Sequence, residues 1–526
     1  MSFTALRPYL FICLGGVLLL LALAGPSRTS PVLAQAPIIW SPPVIISEQD
    51  RFNWFADIAI DNIGRPHVIW DGSLSEADKA LYPDQTLSLL MYSRLEGDTW
   101  LPPLDINVIF QELGGGHIYR GALTADPNGN LFALYEGHLI QAPANLAGDS
   151  AIHWSQPNLL SRGAIYMGSS MADPNGVLHV LYDQETKLDK SIDQRLTLFG
   201  EAPPAFLAEI FYRRSVDGGK TWSEPLNMSR TQVGEHREKI KMDSRGVIYA
   251  AWDEGWDRLT EYGEREQGIL RISRDGGETW SPKITFAYPE RTNAQFTSTG
   301  DGRGGVLAVW RALTRDEIFY SWSVDDGATW SAPQSIPNIL AREWNETRFD
   351  SYDLVADSGG VMHLVVVGRP SLTQPSRVYH LSWNGRSWSE PLLVHEGEGW
   401  PEWPRVVSSQ GNRLHLVWFV RNRLETDRRS LYQIWYSSAI TAAPAQPLPP
   451  TPTPTPTQTS TPAPVVVFTP TPVKIPISPG EMEHASQIRK NLMRESDDLL
   501  LLLQALMPLI IVLIGLGMGW HYWQGR

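Results

Sequence analysis

Cysteine is almost absent from this sequence of 526 residues, which contains only Cys13. A disulfide framework and a thiolate metal site are therefore both excluded. The 12 histidines are scattered and do not show the spacing of metal ligands on one element. The sequence accordingly predicts no metal site and no cofactor.

Positive charge is also scarce, since 44 Lys and Arg stand against 57 Asp and Glu, for a formal net charge of −13. Nucleic-acid binding needs a basic face, so the sequence predicts no nucleic-acid partner. Hydrophobic residues make up 42% of the chain, which excludes wholesale disorder. The length suits one large all-β domain with accessory segments.

Both ends of the chain carry apolar segments. Arg7 precedes an apolar run over 9–24, and residues 1–34 are predicted to be a signal peptide cut near Ala34, with an uncleaved anchor as the alternative. Residues 499–520 are predicted to form a transmembrane helix, followed by a short tail over 521–526. We expect a single-pass protein of the cell membrane whose large domain lies on the extracytoplasmic side.

The segment before the predicted span is rich in proline and threonine. Residues 441–480 are predicted to form an extended, semi-rigid stalk, because proline cannot donate to a backbone ladder and favours polyproline II. Ser478, Pro479 and Glu481 resemble a helix start, so 481–498 are predicted to be a juxtamembrane helix.

Residues 38–440 contain one unit repeated seven times. One element is Trp-Ser-x-Pro or a close variant, at Trp40, Trp100, Trp154, Trp222, Trp280, Trp330 and Trp388. The other is a turn of the type Asp-x-x-Gly before an apolar strand, at Asp61, Asp126, Asp173, Asp243, Asp301, Asp357 and, in degenerate form, Ser409. Each unit has four β-rich segments, which predicts an all-β propeller of seven four-stranded blades. The N-terminal strand over 38–47 is predicted to complete the last blade.

Three turns fit the pattern Ser-x-Asp-x-Gly-x-Thr-Trp, in which Asp accepts turn amides, Gly adopts positive φ and Trp packs between sheets. Their pattern residues are Ser215, Asp217, Gly219 and Trp222, then Ser273, Asp275, Gly277 and Trp280, then Ser323, Asp325, Gly327 and Trp330. This pattern resembles the Asp-box (BNR) repeat of the sialidase superfamily over most of 38–440. The resemblance implies that the boxes are structural and lie away from any active site.

The loops divide into two classes. The Asp-x-x-Gly turns and the Asp boxes are short and lie on one face, here called the short-turn face. The remaining loops are long and irregular and lie on the other face, the long-loop face, where we expect the ligand site. Candidate ligand-binding residues there are Arg120, Arg237, Arg348, Trp54, Trp344 and Trp403. Arginines and aromatic rings suit a hydroxylated or anionic ligand, although the same residues could simply solvate or support the rim.

Three functions are compatible with these features. The first is glycan binding through the long-loop face, with a glycan or glycoconjugate as partner. The second is glycoside hydrolysis: the resemblance implies Arg120, Arg237 and Arg348 as a carboxylate clamp with Tyr119 and Glu238 as the reacting pair, whereas another glycosidase would use Glu238 and Asp253. Against sialidase activity, the family's Arg-Ile-Pro motif is missing and the units number seven instead of six. The third is a non-catalytic protein-interaction propeller. The oligomeric state is not determined by the sequence.

Overall fold

A computed structural model describes residues 38–81, 86–111, 120–161, 168–187, 206–231, 233–255, 266–289, 292–313, 315–343, 349–397, 399–421 and 432–448. The predicted signal peptide, juxtamembrane helix and transmembrane helix lie outside these ranges. Within them, no helix is long and apolar enough to cross a membrane.

The first half of the described chain forms strands in sequential groups. Strands β1 (Ile39–Trp40) and β2 (Val44–Ile45) come first. The next sheet holds β3 (Asn53–Ile60), β4 (Pro66–Ser73), β5 (Thr86–Glu96), β6 (Thr99–Trp100) and β7 (Leu104–Gln111). The following sheet holds β8 (Ala122–Ala125), β9 (Asn130–Tyr135), β10 (His138–Pro143) and β11 (Asn158–Leu159). The third holds β12 (Gly168–Ala172), β13 (Leu178–Lys187), β14 (Phe206–Ser215) and β15 (Leu226–Asn227).

The second half continues in the same way. One sheet holds β16 (Glu235–Met242), β17 (Ile248–Glu254), β18 (Gln267–Ser273) and β19 (Ile284–Phe286). An eight-stranded sheet holds β20 (Asn293–Gly300), β21 (Val306–Ala312), β22 (Glu317–Ser323), β23 (Gln334–Ala341), β24 (Tyr352–Ala356), β25 (Met362–Arg369), β26 (Arg377–Trp383) and β27 (Leu392–His395). The last sheet holds β28 (Trp400–Ser409), β29 (Arg413–Arg421) and β30 (Gln433–Ile440) with β1 and β2. A short helix α1 (Glu76–Leu81) and a 3₁₀ turn (Ala151–His153) complete the described elements.

The sheets are arranged as the blades of a propeller. Within the described residues, five sheets of four or five strands form separate blades, and a sixth sheet has eight strands. The inner strands are β3, β8, β12, β16, β20, β24 and β28. Each contacts the next in chain order, and β28 contacts β3. The predicted all-β, propeller-like class is therefore confirmed.

The N-terminal segment pairs with the end of the sheet region. Ile39 and Trp40 of β1 lie opposite Ile440 and Ala439, and β2 continues along the same strand, β30. This antiparallel pairing, predicted from the sequence, covers an edge that would otherwise be open to pairing with another chain.

The core lies between neighbouring sheets. Second strands such as β17 and β21 are buried along their whole length because both of their faces are covered. The tryptophans of second strands are fully buried, namely Trp70, Trp252, Trp310 and Trp418. Each of these rings packs within a cluster of buried residues drawn from adjacent sheets. The abundance of tryptophan in the composition is thus largely explained by packing between blades.

Inner strands bend where they enter the centre of the ring. Register shifts mark a β-bulge in β3, β16, β20 and β28. The bulge residue has a left-handed backbone in each case: Phe55, Arg237, Gln295 and Trp403, with φ between 51° and 61°. Bulges change the direction in which nearby side chains point and are frequent next to functional sites. Here the bulges lie towards the loop end of these four inner strands.

Residues 441–448, assigned above to the stalk, lie against the short-turn face and are called the strap below. Thr441 donates through its hydroxyl to Asp357, and Ser358 donates to the carbonyl of Pro444 at 2.5 Å. Further along, the amide of Gln446 donates to the carbonyl of Gln410 at 2.7 Å. The strap therefore crosses the turns that surround the centre of the ring, and only the later part of the predicted stalk lies outside the described residues.

Candidate functional site

The Asp boxes form closed hydrogen-bonded turns between third and fourth strands. In the first box, Ser215 donates to Asp217 at 2.8 Å, and the amide and hydroxyl of Thr221 donate to the same carboxylate at 2.9 and 2.6 Å. The boxes at Ser273 and Ser323 repeat this network. The bonds from threonine lower the pKa of Asp217 to about 2. These carboxylates are therefore committed to the turns.

A cavity of about 560 Å³ runs along the centre of the ring. Its wall is formed by the inner strands, with Arg120 and Trp403 at the loop end and Gln410 and Gln446 at the short-turn end. Five cationic residues among the described residues line it: Arg120, Arg237, Lys239, Lys241 and Arg405. Seven acidic residues also line it: Asp57, Glu238, Asp243, Asp301, Asp350, Asp353 and Asp357. The cavity thus has no excess of positive charge.

Arg237, predicted to bind a ligand carboxylate, is fully buried and bound by the protein itself. Its Nη1 lies 3.0 Å from Asp253 and 3.1 Å from Glu266, and its Nε lies 3.5 Å from Asp350. Burial opposes the charge on Arg237, but these three carboxylates outweigh it and raise the pKa of the guanidinium. Arg237 is therefore the centre of an internal ion-pair network and does not face a ligand as part of an open clamp.

Asp253, a predicted catalytic carboxylate, is fully buried and saturated with donors. Besides Arg237, it accepts the backbone amides of Gln295 at 2.7 Å and Phe296 at 2.8 Å, at the bulge of the next inner strand. Burial raises its pKa to about 6 despite the neighbouring arginine. Its contacts join two blades, which is a structural function.

One group of described residues has the donor atoms of a metal site. His236, Asp253 and Glu266 offer one ligand atom each, all within 4.8 Å of one another. Nη1 of Arg237, however, lies 3.0 Å from Nε2 of His236 and within 3.1 Å of both carboxylates. The guanidinium therefore already supplies the positive charge that this cluster requires.

Trp403 and Arg120 form a stack at the loop end of the cavity. Trp403 is only 5% exposed and packs edge-on against Phe55 and Phe349. The guanidinium carbons of Arg120 and Arg405 lie 5.6 and 4.0 Å from the centroid of the Trp403 ring. Both guanidinium groups are thus held by cation–π contacts. Trp403 supports the rim from within the core instead of offering a face to a sugar, which corrects the expectation from the sequence.

Trp54 lies nearby but is only partly buried. It stacks on Phe52 at 5.9 Å and on Phe55 at 5.6 Å, and Tyr432 meets its ring edge-on at 5.3 Å. Trp54 is therefore the described tryptophan of the predicted set that retains exposed surface on the loop side. Tyr119, Trp344 and Arg348 lie outside the described residues.

Asp350 organises the cations of the cavity, although it is not among the candidate ligand-binding or catalytic residues predicted from the sequence. Its Oδ2 lies 3.1 Å from Arg405 and 3.3 Å from Lys239, and its Oδ1 faces Arg237. Although Asp350 is buried, these cations hold its pKa well below the usual value. Its position seven residues before the turn Asp357 was the available signal, because His236 and Trp54 occupy the same position in their own repeats.

A second row of polar residues joins the inner strands to one another. Asp57 accepts a hydrogen bond from the backbone amide of Leu123 at 2.7 Å. In the same way, Ser169 accepts one from the amide of Ile240 at 3.1 Å, and Asp353 accepts one from the amide of Val406 at 3.0 Å. Each bond satisfies an amide at the inner edge of the next blade. Lys241 then neutralises Asp353 at 2.6 Å. The polar atoms of these cavity residues are therefore used in contacts between blades.

Glu238 differs from its neighbours because the described residues provide no side-chain hydrogen bond to either of its carboxyl oxygens. It is 4% exposed and lines the cavity. Burial, reinforced by the charge of Asp183, raises its pKa well above the usual value. Both carboxyl oxygens have almost no accessible surface, so the carboxyl group lies beside Asp183 and not in the open part of the cavity.

The comparisons with known proteins point to one family. Residues 149–442, more than half of the chain, match the model of the BNR repeat-like domain. Similar solved structures include a protein of unknown function from Dyadobacter fermentans, with 15% identity, a TM-score of 0.46 and coverage of 77% of this chain and 99% of that one. A Hadza microbial sialidase shares 14% identity, with a TM-score of 0.39 and coverage of 76% of this chain and 68% of that chain. The NanB sialidase from Streptococcus pneumoniae shares 10% identity, with a TM-score of 0.40 and coverage of 76% of this chain and 97% of that chain. No curated protein matches the chain.

Proposed function

Because the chain belongs to the BNR repeat-like domain family, we propose that it is a glycan-binding propeller displayed at the cell surface. In this proposal, residues 499–520 span the membrane once and the propeller lies on the extracytoplasmic side. The partner is an extracellular glycan or glycoconjugate that enters from the long-loop face.

The proposal includes seven blades. The eight-stranded sheet then comprises two blades, β20–β23 and β24–β27, joined only where Leu340 and Ala341 pair with Arg369 and Gly368. The separate contacts of β20 with β16 and of β24 with β28 support this division.

The observation that carries glycan binding is the central cavity. Its volume of about 560 Å³ is within the range of small-molecule sites and exceeds what one sugar ring requires. Its wall carries side chains with hydrogen-bonding atoms, among them Ser244, Ser408 and Gln410. By contrast, Arg237 and Asp253 bind each other, so binding is better supported than catalysis by these two residues.

A glycan array probed with the full chain in detergent tests this proposal. We expect retention on a defined subset of immobilised oligosaccharides, abolished by a Met242→Trp substitution, which enlarges a half-buried residue of the cavity wall. A matched Ala328→Trp substitution on an exposed Asp box should leave binding unchanged. A blank array, with the fold confirmed by circular dichroism, would overturn glycan binding and favour the protein-interaction alternative.

Glycoside hydrolysis is the second candidate, favoured by the raised pKa of Glu238. A general acid needs a raised pKa and access to the substrate; Glu238 has the raised pKa and belongs to an inner strand beside the cavity. Release of the aryl group from a panel of aryl glycosides, including sialosides, tests this candidate. Turnover by the wild type that is lost in Glu238→Gln would support hydrolysis; an inert wild type would exclude it for that panel.

A further inference from the structure

We propose that the protein has a second sugar-binding surface beside the loop end of the cavity, formed by Phe52, Trp54 and Tyr432 and called the aromatic platform below. The platform stacks on the apolar face of an uncharged sugar ring. The ligand is then an oligosaccharide with one residue on the platform and a neighbouring residue at the cavity. This inference rests on the proposed glycan-binding function and deepens it, because it names the class of sugar and a minimum length for the ligand.

The three rings of the platform contact one another and retain accessible surface. Phe52 and Trp54 stack with their centroids 5.9 Å apart and their planes 29° apart, and Tyr432 meets them edge-on at 4.6 and 5.3 Å. All three residues are half-buried. The negative face of an aromatic ring attracts C–H groups, which a sugar ring presents along its apolar face. A surface of this kind therefore suits stacking with a sugar.

Asn53, between Phe52 and Trp54 in the chain, fixes the platform from below. Its side chain is fully buried, accepts Nε1–H of Trp70 at 2.8 Å and donates to the carbonyl of Tyr432 at 3.1 Å. Because successive side chains of an extended segment point to opposite sides, Phe52 and Trp54 point away from the core that Asn53 enters. The same asparagine holds the backbone of Tyr432 beside them, so the three rings are positioned in advance of any ligand.

The charges next to the platform argue for an uncharged sugar. Arg51, which precedes Phe52, has its Nε 2.5 Å from Glu48 and 3.7 Å from Asp50, and its Nη2 3.6 Å from Asp78. The side chains of these three acidic residues are 36%, 62% and 40% exposed. Three carboxylates against one guanidinium repel a ligand carboxylate, whereas carboxylate oxygens accept hydrogen bonds from sugar hydroxyls.

The platform lies close to the cavity. Trp54 stacks on Phe55 at 5.6 Å, and Phe55 packs edge-on against Trp403 at 5.0 Å. Trp403 lines the loop end of the cavity, so a single ring separates it from Trp54. Adjacent residues of one oligosaccharide can therefore occupy the platform and the loop end of the cavity together.

Saturation-transfer NMR titrations with the full chain in detergent test the inference. The probes are the β-1,4-linked trisaccharides of glucose, galactose, mannose and N-acetylglucosamine and the methyl β-glycoside of each sugar, with β-1,4-linked triglucuronic acid as the acidic counterpart. We expect at least one neutral trisaccharide to bind more tightly than its methyl glycoside and than the acidic trimer. Trp54→Leu and Phe52→Leu keep an apolar side chain but remove a ring. Each should weaken the trisaccharide about tenfold and so remove most of its advantage over the methyl glycoside.

Tyr288→Leu is the matched control, because Tyr288 is a 56% exposed aromatic residue that follows β19, away from the platform strand β3. This variant should bind like the wild type. Circular dichroism shows whether each variant is folded; if Trp54→Leu does not fold, Phe52→Leu decides.

The remaining outcomes separate this inference from the function on which it rests. Platform variants that bind like Tyr288→Leu, or tighter binding of the acidic trimer, would overturn the inference and leave glycan binding standing. Tetramethylammonium tests the alternative of a cation on the rings, and binding of this probe but of no sugar would overturn the inference. A wild type that binds none of the sugars would also overturn it, and a blank glycan array in addition would overturn the proposed function.

Discussion

Nη1 of Arg237 lies 3.0 Å from Oδ2 of Asp253, with both side chains buried. The sequence predicts ligand binding for Arg237 and catalysis for Asp253. Their mutual contact, extended to Glu266 and Asp350, makes them parts of one internal network.

Removing Arg237 should destabilise the fold strongly. Arg237→Met leaves three buried carboxylates without their shared cation, so we expect a loss of about 3–5 kcal/mol in the free energy of unfolding. Arg214→Met is the matched control, because its partner Glu278 is 60% exposed and exposed pairs contribute less than about 1 kcal/mol. Urea unfolding of both variants measures the difference; equal midpoints would contradict the structural function of Arg237.

Two adjacent glycines of the second Asp box should respond differently to alanine. Both have left-handed φ, 68° at Gly276 and 82° at Gly277, which costs alanine about 1 kcal/mol. A methyl group at Gly277 would also overlap the phenol of Tyr212, whereas at Gly276 it would meet open space. We expect Gly277→Ala to lose about 3 kcal/mol or more and Gly276→Ala about 1 kcal/mol. Thermal unfolding measures both, and similar losses would mean that the contact with Tyr212 is absent.

Acid should destabilise the protein partly through His179. Burial lowers the pKa of this imidazole to about 4, and its Nδ1 lies 2.7 Å from the hydroxyl of Tyr212. The unfolded chain therefore binds the proton first, so stability is full above about pH 6.5 and falls as the pH drops towards 4. The difference corresponds to roughly 3 kcal/mol.

The free energy of unfolding, measured by urea at several pH values, tests this dependence. His179→Gln cannot take up the proton, so its stability should fall less steeply between pH 6.5 and 4 than that of the wild type. Parallel curves for the two proteins would show that His179 does not contribute to acid sensitivity.

The strap should limit access to the cavity from the short-turn face. Because Cys13 is the only cysteine, a Cys13→Ser chain with Met242→Cys carries a single thiol on the cavity wall near this end. We expect a bulky maleimide to label it slowly, and several times faster when Ser358→Ala and Thr441→Val remove two bonds to the strap.

The same two types of substitution elsewhere provide the control. Ser371→Ala with Thr373→Val removes an exposed hydroxyl contact away from the strap, so the labelling rate should stay at its original value. Fast labelling before any change to the strap, or equal acceleration by both pairs, would contradict closure of this end.

The repeat pattern was sufficient to predict the architecture. The spacing of Trp222, Trp280 and Trp330 and of the turn aspartates predicts blades of short strands, because each unit must bury its apolar faces against its neighbours. For the Asp boxes, the sequence predicts that Asp accepts turn amides and that Gly adopts positive φ, whereas the bonds from the Ser215 and Thr221 hydroxyls to Asp217 are seen only in the structure.

The contacts of the candidate site could be predicted less well from the sequence than the fold could. The partners of Arg237, Asp253 and Trp403 include residues of other blades and could not be inferred from spacing. Position alone cannot separate Asp253, which is saturated by the amides of the next strand, from Glu238, which has no side-chain partner among the described residues.

The sequence by itself determined the all-β repeat, the short-turn and long-loop faces and the turns of the Asp boxes, because these depend on residues close together in the chain. Only the tertiary structure decided which charged residues are consumed by the fold. Arg237 and Asp350 are 113 positions apart yet share one ion-pair network, and burial at the centre of the ring makes that pairing obligatory. Glu238, one position further along the same strand, lies beside Asp183 of the neighbouring blade instead.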